Sequence, residues 1–248
     1  MSGHSKWSSI KRAKGATDAK RGQLFTKLGR EIAVAAREGA DPAANSRLRL
    51  AVQRARDANM PVDTIERAIK RAAGGADGAT YHEITYEGYG PGGVAVLVDV
   101  LTDNRNRSAA EVRSVFNKSG GNLGESGSVR WLFDSKGVIT IDADSRDPEE
   151  IAMAAIEAGA EDFEIEDGAV VVFTDAGQAE HVRALLEQQA VPVVASETAL
   201  VPKTSVQLDE RTADQTMRLI ERLEELDDVQ HVYSNSDVSD EVAASLAG

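Results

Sequence analysis

The sequence predicts an α+β protein in which an N-terminal three-helix domain precedes two α/β, ferredoxin-like domains, the third inserted into the second. Apolar residues recur at helical spacing up to the glycine pair at 74–75. After residue 81, strand and helix patterns alternate instead. Between residues 137 and 201 their order is β-α-β-β-α-β, which is typical of the ferredoxin-like fold.

Three helices are predicted before a linker-like stretch that begins at the glycine pair. They span roughly 17–38, 41–58 and 61–73. Asp41, which stands before Pro42, suits an N-cap with proline in the first turn of the second helix. Asp63 and Glu66 have the spacing of a capping box at the start of the third helix.

Strands and helices share the remainder of the chain. The predicted strands are 83–89, 93–101, 128–133, 137–142, 162–167, 169–174, 191–196 and 230–235, and the predicted helices are 108–118, 148–158, 176–189 and 212–226. We therefore expect a basic arm and helical domain at 1–75, a discontinuous α/β domain at 81–134 plus 205–240, and an inserted β-α-β-β-α-β domain at 135–204.

Charge is distributed unevenly along the chain, whose net charge is −13. Residues 1–75 hold 16 Lys+Arg and 7 Asp+Glu, a charge of +9, whereas residues 76–248 hold 12 and 34, a charge of −22. A basic segment joined to an acidic body is typical of a protein that binds nucleic acid through its basic part.

Several classes of function find no support in the sequence. The absence of cysteine excludes disulfides, thiolate metal sites and cysteine nucleophiles, and it fits the reducing cytoplasm. The four histidines lack metal-ligand spacing, and no catalytic triad or paired-carboxylate signature occurs. No apolar run approaches the ~18 residues of a membrane span. The sequence therefore predicts a non-enzymatic protein with no metal, cofactor or membrane partner.

The first candidate interface is the arm at 2–22, in which Trp7 and Ile10 are the large apolar residues. So little apolar surface cannot offset the entropy of ordering, and we expect a mobile arm. Its cations would neutralise phosphates, and Trp7 would stack on a base. The predicted contact residues of the arm are Lys6, Trp7, Lys11, Arg12, Lys14, Lys20 and Arg21.

The second candidate interface is the second helix, where four arginines flank an apolar stripe. Arg47 and Arg54 lie on one side of this stripe, and Arg49 and Arg56 lie on the other. Either pair suits contact with a nucleic-acid backbone or entry into a major groove.

The third candidate is a strand-to-helix junction where Ser108 and Glu111 have the spacing of a capping box. Free amides at a helix N-terminus, together with Arg105 and Arg107, would hold a phosphate. A polar loop before a capped helix explains the same residues equally well. The glycine clusters at 88–93 and 120–128 lack nucleotide-loop spacing and favour turns or loops that contact RNA closely.

Five segments in order resemble the YebC/PmpR family over nearly the whole chain. They are GHSKWSSIKRAKGATDAKRGQLFTKLGREI (3–32), NSRLRLAVQRARDANMPVDTIERAIKRAAGG (45–75), YEGYGPGGVAVLVDVLTDNRNRSAAEVR (86–113), GGNLGESGSVRWLFDSKG (120–137) and LEELDDVQHVYSN (223–235). The resemblance implies a three-domain cytoplasmic regulator with a helical first domain.

Two functions are implied by this resemblance. Members are usually described as DNA-binding transcriptional regulators, which implies promoter DNA as the partner. Others, including mitochondrial relatives, are described as translational activators or ribosome-associated factors, which implies ribosomal RNA or tRNA. A recognition helix suits DNA, whereas a basic arm and glycine-rich loops suit RNA.

We predict that charge reversal at Lys11, Arg12 and Lys14 together weakens nucleic-acid binding and flattens its salt dependence, because fewer counterions are released. Titrations at several salt concentrations measure both effects. Binding that is unchanged in the triple variant would remove the arm from the interface.

Overall fold

The computed structural model describes residues 18–74, 81–143, 146–166 and 168–247. The chain divides into two compact units within these ranges. The first unit contains residues 18–130 and 214–232, and the second contains residues 131–213 and 233–247. No helix among the described residues is long and apolar enough to cross a membrane.

A three-helix bundle opens the first unit, as the helical periodicity predicts. It consists of α1 (Asp18–Arg37), α2 (Ser46–Asp57) and α3 (Val62–Ala73). The helices bury one apolar core that includes Leu28, Ile32, Leu48, Val52 and Ile65. The apolar stripe expected on the second helix is therefore the face that packs in this core.

The second helix begins later than the sequence predicts. Asn45, rather than Asp41, is its N-cap, because the Asn45 side chain accepts a hydrogen bond from the Leu48 N–H at 3.0 Å. The same amide donates to the backbone carbonyls of Ala35 and Gly39 at 2.7 and 2.8 Å. One side chain thus ends α1 and starts α2, while the Asp41 carboxylate accepts from Ala43 N–H within the connecting turn.

The capping box predicted for the third helix is also wrong. Pro61 occupies the N-cap position and makes no side-chain capping bond. Its fixed φ of −59° directs the chain into the helix, and Asp63 therefore lies in the first turn instead of capping it.

Strands and further helices follow the bundle in the described part of the chain. They are β1 (His82–Tyr89), β2 (Ala95–Thr102), α4 (Arg105–Lys118), β3 (Asn122–Leu123), β4 (Phe133–Asp142), α5 (Pro148–Glu157), β5 (Asp162–Glu166), β6 (Ala169–Asp175), α6 (Ala179–Gln188), β7 (Val193–Pro202), β8 (Val206–Gln207), α7 (Glu210–Glu224), β9 (Val229–Ser234), β10 (Ser236–Asp237) and α8 (Asp240–Ala247). Short 3-10 turns occur at Pro91–Gly93 and Arg130–Leu132.

One sheet has the strand order β3-β1-β2-β9. Strand β9 lies beside β2 although the whole second sheet intervenes in the chain, which is the discontinuity that the sequence predicts. Phe116 of α4 and Leu219 of α7 are buried, and they lie next to Gly88 and Gly90 of this part of the chain. The exact limits of the three domains expected from the sequence remain a prediction.

Strands β8 and β10 form a parallel pair of their own. A second four-stranded sheet has the order β5-β6-β4-β7, in which all neighbouring strands are antiparallel. Its elements follow the sequence β4-α5-β5-β6-α6-β7, so the predicted ferredoxin-like order is confirmed. Ile141, Ile151, Val172 and Leu186 belong to the core between this sheet and its two helices.

The strand predicted at 128–133 is wrong, because a buried carboxylate shapes this segment. Glu87 is 6% exposed, and it accepts hydrogen bonds from the N–H groups of Gly127, Val129 and Arg130 at 2.6–2.8 Å. Burial disfavours the charge of Glu87, but these three donors outweigh burial and lower its pKa. N–H groups that point to one carboxylate cannot form a strand ladder, and β4 begins only at Phe133.

The glycine clusters are explained largely by packing. A Cβ atom on Gly121 would lie 2.5 Å from the backbone oxygen of Tyr89, and one on Gly88 would lie 2.7 Å from that of Asn122. The two glycine loops therefore lie against each other, and the missing side chains are what allow this approach.

We predict opposite effects of alanine at two glycines. Gly121→Ala should lower the melting temperature, because overpacking against backbone costs about 1–3 kcal/mol. Gly29→Ala should raise it, because a Cβ meets nothing within 4 Å there, and alanine in a helix gains about 0.5–1 kcal/mol over glycine. Thermal unfolding followed by circular dichroism measures both changes, and a stabilising Gly121→Ala would contradict the close approach of the loops.

Candidate nucleic-acid interface

Most of the predicted arm contacts lie outside the described residues. This applies to Lys6, Trp7, Lys11, Arg12 and Lys14. Lys20 belongs to α1, but its side chain is also outside the described part. Arg21 is exposed on the first turns of the same helix.

The two arginine pairs of α2 have different environments. Arg47 pairs with Glu83 of β1 and lies 3.3 Å from Glu38. Arg54 lies 3.4 Å from the carboxylate of Glu31 on α1. This flank of α2 therefore faces acidic groups of its own unit, and its charge is compensated inside the protein.

Glu31 joins three elements of the first unit. His231 of β9 lies 3.4 Å from its second oxygen, while Arg54 approaches the first. Burial disfavours ionisation of Glu31, but hydrogen bonding and charge from His231 and Arg54 outweigh it and lower the pKa. A cleft of about 420 Å³ opens beside this group, and Glu83 and Asp99 also line it. Arg47 and Arg54 also line the cleft, but each already pairs with one of its carboxylates, so the cleft is unfavourable for a phosphate.

The opposite flank of α2 carries two exposed arginines, Arg49 and Arg56. Arg49, Gln53 and Arg56 follow one another at i, i+4 and i+7, so their side chains form one stripe. Arg49 and Arg56 are exposed, and Arg49 reaches a backbone carbonyl, that of Pro42, at 3.4 Å. Within the described ranges, no carboxylate lies at salt-bridge distance from either arginine. We call this surface the α2 stripe.

Sequence reasoning overlooked two further cations of the bundle. Arg67 and Lys70 are exposed on α3, where Arg67 binds the backbone oxygen of Asp63 rather than a carboxylate. They lie on the polar face of the predicted helix, so the helical period could have identified them.

The junction before α4 is built differently from the prediction. Asn104 is the N-cap and accepts from the Arg107 N–H at 3.1 Å, so Ser108 and Glu111 do not form a capping box. Ser108 is instead buried inside the first turns of α4. The prediction is wrong because α4 starts at Arg105, four residues earlier than an N-cap at Ser108 would place it.

Arg107 is held by acidic neighbours rather than left for a ligand. Its guanidinium lies 2.8 Å from Asp103 and 2.6 Å from Asp228. These carboxylates raise the pKa of Arg107 through hydrogen bonds and charge. Arg105 is exposed like Arg107, but no carboxylate of the described residues lies at salt-bridge distance from it. The structure thus separates the two arginines that the sequence grouped into one phosphate site.

Asp228 is the centre of a buried polar cluster. Its carboxylate lies 2.9 Å from the Thr102 hydroxyl and 2.8 Å from that of Ser108, and Arg30 of α1 approaches it at 3.1 Å. Burial disfavours its charge, but the hydrogen bonds from Arg107, Ser108 and Thr102 outweigh burial and lower its pKa.

Three side chains of α1 also bind backbone carbonyls at the end of α7 and in the turn that follows it. Gln23 donates to the carbonyl of Glu225 at 2.8 Å, Lys27 donates to that of Glu224 at 2.6 Å, and Arg30 donates to that of Asp227. The last carbonyls of a helix lack intrahelical donors and carry partial negative charge. Lys27 and Arg30 therefore use donors of their charged groups to stabilise the fold.

The described residues contain no group of three or more histidine and acidic side chains placed to hold a metal ion.

Family models and relatives with known sequences match nearly the whole chain. The family model for the TACO1/YebC protein N-terminal domain matches residues 5–75, and the model for the TACO1/YebC second and third domain matches residues 81–236. A probable transcriptional regulatory protein of Rubrobacter xylanophilus is 56% identical over 250 residues and covers 100% of both chains. One from Dehalococcoides mccartyi is 55% identical over 98% of this chain and 97% of its own.

A solved structure has the same fold. The crystal structure of a conserved hypothetical protein, Aq1575 from Aquifex aeolicus, is 47% identical in sequence and has a TM-score of 0.83. The match covers 90% of this chain and 93% of the other.

We predict that Asp228→Asn lowers the free energy of unfolding by about 2 kcal/mol near neutral pH, because Arg107 and Arg30 lose a charged acceptor. The folded-state pKa is lowered, so this contribution is complete above the unfolded value and is lost as the pH falls through the folded one. Denaturant unfolding at neutral and acidic pH measures it. Asp227→Asn is the control, since Asp227 is exposed; equal effects of the two variants would contradict the role of Asp228.

Proposed function

The chain belongs to the TACO1/YebC family, and we propose that it is a non-enzymatic, cytoplasmic regulator of gene expression that binds nucleic acid through its basic N-terminal segment. The names of its relatives support a regulatory role. The lack of cysteine supports a reducing compartment. No residue is assigned a catalytic role.

The α2 stripe is the observation that carries this proposal. Arg49 and Arg56 are exposed and uncompensated in a segment whose charge is +9. Seven residues separate them, which corresponds to about 10 Å along the helix axis. Two guanidiniums at this spacing suit consecutive backbone phosphates, and each contributes affinity by counterion release.

DNA is the target that the relatives' names support, because they are called probable transcriptional regulatory proteins. Arginine reads guanine and glutamine reads adenine in the major groove. Arg49, Gln53 and Arg56 would thus provide both backbone and base contacts. Promoter DNA is the partner under this hypothesis.

RNA is the alternative target, and the other flank of α2 favours it. A duplex that enclosed α2 in its groove would bring phosphates towards Glu38 and Glu83, which already bind Arg47. Contact along one side of α2 avoids this repulsion and suits the irregular surface of ribosomal RNA or tRNA. The chain would then be a ribosome-associated translation factor that eases stalled peptide-bond formation.

Ribosome co-sedimentation at low and high salt, beside retention of mixed genomic DNA fragments, separates the two targets. Salt-sensitive enrichment with ribosomes and weak, sequence-blind DNA binding would support the translation factor. Selective retention of particular fragments without ribosome association would support the transcriptional regulator. Association with neither polymer would reject the proposed function.

We predict that Arg49→Gln combined with Arg56→Gln weakens binding to the retained polymer by about 15- to 30-fold at 0.15 M salt, since two phosphate contacts change the salt slope by about 1.4–1.8. Fluorescence anisotropy over a salt series measures both quantities. The control combines Arg146→Gln with Arg218→Gln, two exposed arginines of the acidic body with the same loss of charge. Equal losses in both double variants would indicate a net-charge effect and contradict a local interface.

A further inference from the structure

We propose that α4 provides a second phosphate-binding surface, formed by Arg105 and Arg113 beside Tyr86, which contacts the backbone of the same nucleic acid. We call it the α4 surface. The inference rests on the proposed function, but it concerns a part of the protein separate from the basic N-terminal segment.

The net charge of α4 is opposite in sign to that of the chain segment that contains it. Residues 76–248 carry a charge of −22, yet the fourteen residues of α4 contain four cations and one acid. The cations are Arg105, Arg107, Arg113 and Lys118, and the acid is Glu111. A local excess of positive charge on an acidic body attracts polyanions only where its cations are uncompensated.

Contacts with carboxylates distinguish Arg107 from the other two arginines of α4. Arg107 is bound by Asp103 and Asp228 and stabilises the fold. Arg105 and Arg113 are exposed, and no carboxylate in the described part of the chain lies within salt-bridge distance of them. Both therefore keep their charge and their donors for an external anion.

Tyr86 lies beside the first turn of α4, where Arg105 begins the helix. Its hydroxyl donates to the backbone carbonyl of Arg105 at 3.3 Å, which fixes the first turn of α4 against β1. Burial raises the pKa of Tyr86, while the charges of Arg105 and Arg113 oppose this rise. The phenol of Tyr86 therefore lies at the Arg105 end of this surface.

The spacing of the arginines selects the class of ligand. Eight residues correspond to about 12 Å along the helix axis, which exceeds the size of a single phosphate and matches a run of linked phosphates. A polynucleotide backbone fits this arrangement better than a free anion.

Two contact surfaces on one protein also have an energetic consequence. Once the N-terminal segment is bound, the α4 surface meets the same polymer at a high effective concentration. It therefore adds affinity without needing to bind a short nucleic acid strongly by itself.

The test uses the full chain with Arg105→Gln and Arg113→Gln combined, measured by anisotropy over a salt series on the polymer that the wild type retains. We expect a salt slope reduced by about 1.4–1.8 and binding about 15- to 30-fold weaker at 0.15 M salt. The control is again Arg146→Gln with Arg218→Gln, and circular dichroism confirms that each variant is folded.

The outcomes separate this inference from the proposed function. A normal slope and affinity in the α4 variant, with loss in the α2-stripe variant, would overturn the α4 surface and leave the function intact. Loss in the α4 variant beyond that of the control supports the surface. No binding by the wild type to DNA or RNA would overturn both proposals.

Discussion

The carboxylate of Asp228 connects two parts of the first unit that are distant in the chain, the helical bundle and the junction between β2 and α4. It binds Arg30 of the helical bundle, Thr102 at the end of β2, and Arg107 in the first turns of α4. A buried ion pair contributes modestly to net stability, because desolvation offsets most of its attraction. Removal of either arginine is costly, however, because the Asp228 side chain is only 7% exposed and its charge would stay buried. The cluster therefore fixes the relative placement of these elements.

This constraint decides which cations are free to meet a ligand. Arg30 and Arg107 are used by Asp228, and Arg47 and Arg54 are used by other carboxylates of the same unit. Arg49 and Arg56 of the α2 stripe and Arg105 and Arg113 of the α4 surface are exposed, and no carboxylate of the described residues lies at salt-bridge distance from them. A protein with a net charge of −13 can therefore present local positive surfaces, because its acids neutralise specific arginines rather than the surface as a whole.

Glu87 has a similar organising role at the glycine loops. Its carboxylate receives three successive backbone donors and replaces a strand by a turn. At residues 128–133 polar and apolar residues alternate and large apolar residues are frequent, a pattern that indicates a strand. The carboxylate lies about forty residues earlier in the chain, so no local pattern could reveal it.

The sequence by itself determined the helical bundle, the ferredoxin-like order and the family, because periodicity and motif order are local properties. It also located the basic segment and the two arginine pairs of α2. Only the tertiary structure decided that Arg49 and Arg56 stay exposed while Arg47 and Arg54 pair with acids. It likewise moved helix starts to Asn45 and Asn104. The reason is that charge compensation and capping depend on residues brought together by folding, whose distance in the chain hides them from sequence patterns.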